Sequence, residues 1–235
     1  MSRRNSVRSA LRGILLVGLA ASQATQVRAQ QPPVPGAARP APPRRSPLFF
    51  REEWRQPPTP GERPATQEAV GNANLQLQLY GASAKEILLS GNAGNEAGPL
   101  NLWTGVTTSP IAATLREREN YVDLTGLGKI RWVTRTSGFH AVRPIVKLAD
   151  GTWLVGDAAS GTWGDFNESE ISFADVHWIK LNIERVVTNG KWVDNPDLSK
   201  VDEIGFADLM PGSGHGPGGW VNVSRIEVYG KPVKR

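Results

Sequence analysis

Residues 201–230, VDEIGFADLMPGSGHGPGGWVNVSRIEVYG, decide the fold class. Ile204 and Phe206 alternate with small residues, and Ile226 and Val228 alternate with larger polar side chains. A period of two is typical of a β-strand that turns one face to a core. The stretch therefore predicts two strands joined by a long glycine-rich loop. Because two strands are not stable alone, the preceding chain must supply the rest of the sheet.

The region before this stretch repeats the same pattern of short strands and turn signals. Alternation predicts strands at 74–80, 129–135, 141–148 and 177–183, and Asp150-Gly151 is a hairpin signal. No segment shows a 3.6-residue period over more than about two helical turns. Short strands at this spacing predict an all-β sandwich or barrel.

The N-terminus has the composition of an export signal. Residues 1–29 combine an arginine-rich start, the apolar run 13–21 and a small-residue cleavage site at 27–29. Nine apolar residues are too few for a membrane span, which needs about 20. We therefore expect a signal peptide, no membrane span and a periplasmic or extracellular location.

Three further segments follow in the predicted domain organisation. Residues 30–47 are rich in Pro, Ala and Arg, which predicts a disordered linker. Residues 48–74 are expected to form an extended arm that packs on the sandwich through Phe49, Phe50 and Trp54. The β-sandwich domain itself is expected at 75–231.

Charge and cysteine content exclude several classes of site. The chain has 27 Lys and Arg against 22 Asp and Glu, but five arginines and no acid fall within residues 1–29. The exported chain is therefore balanced, 22 against 22, and does not have the basic character of a nucleic-acid-binding protein. The absence of cysteine rules out disulfides and thiolate zinc sites. From the residues themselves we expect no cofactor.

The order of four segments resembles a known family. These segments are VDLTGLGKIRW at 122–132, FADVHWIKLNI at 173–183, DLSKVDEIGFADL at 197–209 and IEVYG at 226–230. Together they resemble the galactose-binding-like jelly-roll domain, as found in carbohydrate-binding modules of endoglucanases and in the complex I intermediate-associated family. The resemblance implies a jelly-roll β-sandwich that binds sugar on a concave face or at its loop ends. It also implies a structural Ca²⁺ ion as the one possible cofactor, for which Asp150, Asp157 and Asp165 are candidate oxygen ligands, although no spacing identifies a site. It contains no catalytic motif, so its implication for function is an analogy.

Alternation on the predicted strands places basic and aromatic side chains in the outward rows. On 177–183 we expect Ile179, Leu181 and Ile183 to point inward and Trp178 to point outward. If the outward rows share one sheet, they form a basic-aromatic face suited to an anionic polysaccharide, since rings stack on sugars and guanidinium groups pair with carboxylates. An ordinary solvated sheet face is the alternative. The predicted contacts on this face are Arg131, Arg143, Lys147, Trp178 and Tyr229.

Loop residues complete the predicted binding set. Trp132 is expected in the core, whereas five tryptophans lie near strand ends, where they either stack on glycans or cap the sandwich. Trp163 and Trp220, which have glycine neighbours, are the preferred ligand contacts. The loop 211–219 has five glycines in nine residues, and it either folds over a ligand with His215 in contact or serves as a flexible connection.

Two other functions stay open at this point. A glycosidase needs two carboxylates roughly 5–10 Å apart, and a lyase needs a base such as His140 or His177 with Arg143 or Tyr229. An envelope structural or assembly protein is the second alternative. The carboxylate groups available to a glycosidase are Glu117/Glu119, Asp165/Glu168/Glu170 and Asp202/Glu203.

Overall fold

The computed structural model describes residues 45–59, 61–161, 164–210 and 219–235. The expected signal peptide, most of the expected linker, Trp163, His215 and nearly all of the glycine-rich loop lie outside the described residues. The described residues belong to the unit that runs from Pro43 to Arg235. Within them no helix is long and apolar enough to cross a membrane.

Apart from three short 3₁₀ turns, the regular structure in the described residues consists of strands. The turns are Gln67–Ala69, Ala84–Glu86 and Phe173–Asp175. In chain order the strands are β1 (Leu48–Glu52), β2 (Arg63–Pro64), β3 (Leu75–Tyr80), β4 (Leu88–Ser90), β5 (Asn101–Trp103), β6 (Ile111–Glu117), β7 (Asn120–Asp123), β8 (Lys129–Gly138), β9 (Ala141–Leu148), β10 (Trp153–Gly156), β11 (Ser160–Gly161), β12 (Asn167–Ser172), β13 (Trp178–Asn182), β14 (Val187–Val193), β15 (Val201–Asp208), β16 (Gly219–Tyr229) and β17 (Lys231–Lys234).

These strands form two antiparallel sheets. The first sheet has the order β12-β8-β16-β5-β4-β2, and β1 also pairs with β16. The second sheet has the order β14-β13-β10-β9-β15-β6-β3, with β7, β11 and β17 attached beside this path. The two strands of the stretch that opened the sequence, β15 and β16, lie at the centres of opposite sheets.

The connectivity is that of a jelly roll. Strands that follow one another in the chain, such as β5 and β6, β8 and β9, or β15 and β16, lie in opposite sheets. The central orders β5-β16-β8-β12 and β6-β15-β9-β10 are therefore interleaved along the chain, which is the arrangement of a double-sheet jelly roll. The predicted all-β jelly-roll β-sandwich is confirmed.

The core lies between the sheets and is built from the inward rows of both. Trp132, predicted to be a core residue, is fully buried together with Ile130 on the first sheet and Phe206 on the second. Its indole N–H donates to the hydroxyls of Ser160 and Ser169, each at 2.9 Å. The buried polar end of the ring is thus satisfied, as a core tryptophan requires.

Residues 48–74 attach to the first sheet. Phe50 of β1 pairs with Val228 of β16, and both Phe50 and Trp54 are buried. The Trp54 indole donates to the Val223 carbonyl at 2.9 Å. The segment thus contributes two strands, β1 and β2, to the first sheet, while the domain boundary at residue 75 stays a prediction.

Strand β13 is turned opposite to the prediction. Trp178 is only 2% exposed and belongs to the main core, whereas Leu181 packs in a second apolar cluster with Ile145 and Val155. Ile179 pairs with Val155 and therefore lies on the same face of the sheet. This second cluster is on the outer surface of the second sheet. The prediction was wrong because both faces of this sheet are apolar, so the period of two does not reveal which row points inward.

Candidate functional site

The predicted basic-aromatic face is not formed. Arg131 and Tyr229 lie on the outer surface of the first sheet, whereas Arg143 and Lys147 lie on strand β9 of the second sheet. Expecting these side chains on one surface was therefore wrong, because the chain changes sheet between β8 and β9. Of the other predicted contacts, Trp178 is in the core, Trp220 is half-buried on β16, and Trp163 and His215 lie outside the described residues.

A charge network covers the outer surface of the first sheet. Its centre is Glu227, which is 1% exposed and accepts hydrogen bonds from Arg51 and, at 2.6 Å, from the Tyr229 hydroxyl. Burial raises the pKa of the Glu227 carboxyl, but these hydrogen bonds and the nearby guanidinium charges lower it by more, so the net pKa is lowered. The other members of the charge network are Lys129, Arg131, Glu168, Glu170 and Arg225.

Within this network the predicted ligand contacts already have protein partners. Arg131 donates to Glu170 at 3.0 Å and lies 3.7 Å from Glu227. The Lys129 ammonium lies 4.9 Å from the centre of the Tyr229 ring and bonds to Glu170 at 2.8 Å. A polysaccharide carboxylate would have to displace these acids before it could pair with either cation.

A second polar cluster lies on the outer surface of the second sheet. The buried carboxylate of Glu203 accepts hydrogen bonds from Tyr80 at 2.8 Å, Thr114 at 2.7 Å and Lys147 at 2.9 Å. Burial and the bond to Glu203 raise the pKa of the Tyr80 hydroxyl. For Lys147, burial lowers the pKa but the ion pair with Glu203 raises it by more. Lys147 is thus held by an internal acid, like the cations of the first sheet.

An open cleft lies at one end of the sandwich. Its volume is about 880 Å³, and we call it the end cleft. Its walls are three segments that leave or enter strands: 124–126 before β8, 173–178 leading into β13, and 192–198, which begins with the last two residues of β14. Asn195 has a φ of +45°, a conformation that asparagine tolerates in tight turns, and this turn brings the third wall back toward β15.

An exposed aromatic pair marks the rim of the end cleft. The Trp192 side chain is 59% exposed, and His177 is 78% exposed. The two rings meet edge to face, with centroids 6.4 Å apart and an interplanar angle of 86°. Behind them the buried Trp178 packs on Phe173 with centroids 6.0 Å apart, which gives the cleft an apolar floor.

The charged side chains in the described lining of the end cleft are carboxylates. These are Asp157, Asp175 and Asp194, and the described lining contains no lysine or arginine. The end cleft therefore favours ligands that donate hydrogen bonds and disfavours ligands that carry negative charge.

Asp157 holds His177 by two contacts. Oδ1 accepts the backbone N–H of His177 at 2.9 Å, and Oδ2 lies 2.9 Å from ring Nδ1. Burial raises the pKa of Asp157, but the hydrogen bonds from His177 lower it by more, so its net pKa is lowered. The predicted ligand residue Arg143 lies behind this pair and donates to the Asp157 carbonyl at 2.7 Å.

The three candidate Ca²⁺ ligands are not gathered into one site. Asp150 accepts the N–H of Thr152 at 2.8 Å, Asp157 bonds to His177, and Asp165 is exposed. Throughout the described ranges, no group of three or more His, Asp or Glu side chains is placed to hold a metal ion.

Five of the seven carboxylates considered for a glycosidase have structural contacts, whereas Glu119 and Asp165 are exposed. Glu117 accepts the N–H groups of Glu119 and Asn120, at 3.1 and 2.5 Å, in the turn after β6. Asp202 bonds to Arg116 at 3.0 Å. Glu168 and Glu170 belong to the charge network of the first sheet.

Sequence reasoning did not select the end cleft. Trp192 was only one of five tryptophans near strand ends, and His177 was considered only as a base for a lyase. A usable signal was present, because the turn signals Asn189-Gly190 and Asn195-Pro196 bracket Trp192 in the sequence. In the structure the hairpin turn lies at 183–186, and Asn189-Gly190 falls within β14. Six of the seven residues of this strand, β14, are exposed.

Comparisons with known proteins give distant structural neighbours. No family model and no curated protein matches the sequence. A family 11 carbohydrate-binding module of the cellulosomal cellulase Lic26A-Cel5E of Clostridium thermocellum is 14% identical, with a TM-score of 0.38, covering 74% of this chain and 96% of the module. A family 11 module from the same organism in complex with a β-1,3-1,4-mixed-linked tetrasaccharide has the same identity and TM-score, covering 75% of this chain and 99% of its own.

An exo-β-agarase is a further neighbour, at 11% identity and a TM-score of 0.38. The match covers 70% of this chain but only 24% of the agarase. Carbohydrate-binding modules thus stand among the structural neighbours of this chain.

Proposed function

We propose that this protein is an exported, non-catalytic carbohydrate-binding protein whose sugar site is the end cleft. The observation that carries the proposal is the indole of Trp192, exposed on the rim of a cleft with an apolar floor and a carboxylate lining. The apolar face of a pyranose ring stacks on an exposed indole, while its hydroxyls donate to nearby acceptors.

The charges support a neutral glycan rather than an anionic one. Three aspartates line the end cleft, and a uronic acid brought beside them would add a fourth negative charge. The cations first assigned to an anionic polymer are engaged elsewhere, since Arg131 pairs with Glu170 and Lys147 with Glu203. The proposed ligand class is therefore an uncharged polysaccharide.

Export remains part of the proposal. The arginine-rich start, the apolar run and the cleavage site of residues 1–29 support it. A protein delivered outside the cytoplasm encounters cell-wall and environmental polysaccharides.

Binding is tested with a panel of glycans by isothermal titration calorimetry. The panel contains a β-1,3-1,4-mixed-linked glucan tetrasaccharide, agaro-oligosaccharides and polygalacturonate. We expect saturable binding of at least one neutral member and none of polygalacturonate. Trp192→Ala should weaken the binding by about 30-fold, a typical loss for an aromatic side chain that the bound partner covers.

Val187→Ala is the matched control for Trp192→Ala. Val187 lies on the same strand and is exposed, but it is not part of the cleft lining. Its removal should leave affinity within twofold of the wild type. Equal affinities of wild type and Trp192→Ala, or binding of polygalacturonate alone, would refute the proposed site.

A further inference from the structure

The contact between Asp157 and His177 also determines which nitrogen of the His177 ring carries the proton. An ionised carboxylate only accepts hydrogen bonds, and the pKa of Asp157 is lowered, which keeps it ionised at neutral pH. Its Oδ2 lies 2.9 Å from Nδ1 of His177. Nδ1 must therefore carry the proton, and in the neutral imidazole the other nitrogen, Nε2, is then a bare acceptor.

The second nitrogen, Nε2, is part of the His177 ring in the wall of the end cleft. His177 lines the end cleft beside Trp192 and is mostly exposed. Among the described residues, the polar contacts of His177 are the two with Asp157 and a bond from the Asp157 N–H to the His177 carbonyl at 2.9 Å. Nε2 is therefore available to a ligand that stacks on the neighbouring indole.

The backbone around Asp157 is held rigidly enough for this role. Asp157 and His177 exchange hydrogen bonds in both directions, since each backbone N–H is bound by the other residue. Arg143 adds a third contact by donating to the Asp157 carbonyl at 2.7 Å. A residue fixed on both sides can fix the orientation of its partner, as in sites where a carboxylate orients a histidine.

We propose that Asp157 is a positioning residue, which holds His177 in the tautomer with a bare Nε2, and that this nitrogen accepts a hydrogen bond from a sugar hydroxyl in the end cleft. The ligand half of this inference rests on the proposed function, whereas the tautomer half is independent of it. Together they make His177 a specificity-determining residue, which selects a free hydroxyl at one position of the sugar stacked on Trp192.

Nitrogen NMR of the full chain tests the tautomer without any ligand. The chain has three histidines, so ¹⁵N-histidine labelling gives few signals, and the His177 signals are those lost in His177→Gln. In alkaline buffer, where the imidazole is neutral, we expect a protonated Nδ1 and a bare Nε2 for His177. A protonated Nε2, or equal populations of the two tautomers, would overturn the assignment.

Asp157→Asn then tests the positioning role. An asparagine retains an oxygen for the His177 backbone N–H but places an amide NH₂ against Nδ1, so the ring must move its proton to Nε2. We expect this switch in the NMR spectrum and a loss of about tenfold in affinity for the neutral glycan of the panel that binds the wild type most tightly. Asp150→Asn is the control, because Asp150 also caps a backbone N–H but belongs to a different turn.

The outcomes separate the two levels of the proposal. An Asp157→Asn protein with an unchanged tautomer, or with a switched tautomer and unchanged affinity, overturns the inference. If the wild-type protein binds no glycan at all, the proposed function and the ligand half fail, while the NMR spectrum still decides the tautomer. Thermal unfolding of both variants guards against misfolding, because each should melt within a few degrees of the wild type.

Discussion

The charge network of the first sheet and the end cleft contain similar residue types but have opposite character. Both combine carboxylates with an aromatic ring. In the charge network, the buried Glu227 is surrounded by Arg51, Arg131 and Tyr229, so its bonding capacity is used within the protein. In the end cleft, the Trp192 face is exposed and the described lining has no cation to neutralise its aspartates.

This difference separates side chains that stabilise the fold from side chains left open for a ligand. Charges that pair within the protein stabilise the fold and are not available to a ligand. Acceptors left unpaired in an open cleft are available to a ligand but contribute less to stability. Substitutions in the two regions should therefore affect different measurements.

The largest expected effect is on stability, at the centre of the charge network. Glu227→Ala removes a carboxylate that is 1% exposed and takes one counter-charge away from Arg51, Arg131 and Arg225. We expect a loss of about 2–3 kcal/mol in the free energy of unfolding, or roughly 5–10 °C in Tm. Glycan affinity should not change. Glu96→Ala, at an exposed loop position, is the control, and a similar loss there would remove the special role assigned to Glu227.

A smaller effect is expected at Arg131, one of the ligand contacts predicted from the sequence. Its partners Glu168 and Glu170 are half exposed, so Arg131→Ala should cost less stability than Glu227→Ala. Affinity for a neutral glycan that binds the wild type should stay within twofold by calorimetry. A tenfold loss of affinity with unchanged stability would return the binding site to the first sheet and reverse the comparison.

The smallest effect concerns acid stability. The folded-state pKa of Glu227 and of Asp202 lies below the ordinary value, because hydrogen bonds and nearby cations outweigh burial. Their stabilising contribution is therefore complete above the unfolded-state pKa values, about 4, and is lost as the pH falls through the lower folded-state values. In urea titrations between pH 6 and pH 2, Glu227→Gln should lose less stability on acidification than the wild type. An equal or steeper loss in the variant would show that Glu227 is not a source of the pH dependence.

The fold could be predicted because its signal is local. Alternation in β8, β9 and β15 identifies strands without knowledge of their partners, and Trp132 lies on a row whose neighbours are all apolar or small. What alternation does not give is the pairing between distant strands. Arg131 and Arg143 are only twelve positions apart, yet β8 and β9 belong to different sheets.

The site was harder to predict for two physical reasons. An apolar outer surface on the second sheet made the orientation of β13 ambiguous, and Trp178 was placed outside instead of inside. The end cleft is assembled from three segments whose proximity depends on the complete sandwich. The sequence therefore does not distinguish Trp192 from the other tryptophans near turns. Its position beside His177 is evident only in the folded structure.

The most direct test of the central claim is a ¹⁵N NMR titration of the protein with a neutral glycan that binds in the calorimetric panel, read at the backbone amide and tryptophan indole N–H signals. The account predicts that the Trp192 signal moves with a saturable concentration dependence, while the signal of the buried Trp132 stays in place. A stationary Trp192 signal, together with shifts at Arg131 and Tyr229, would contradict it.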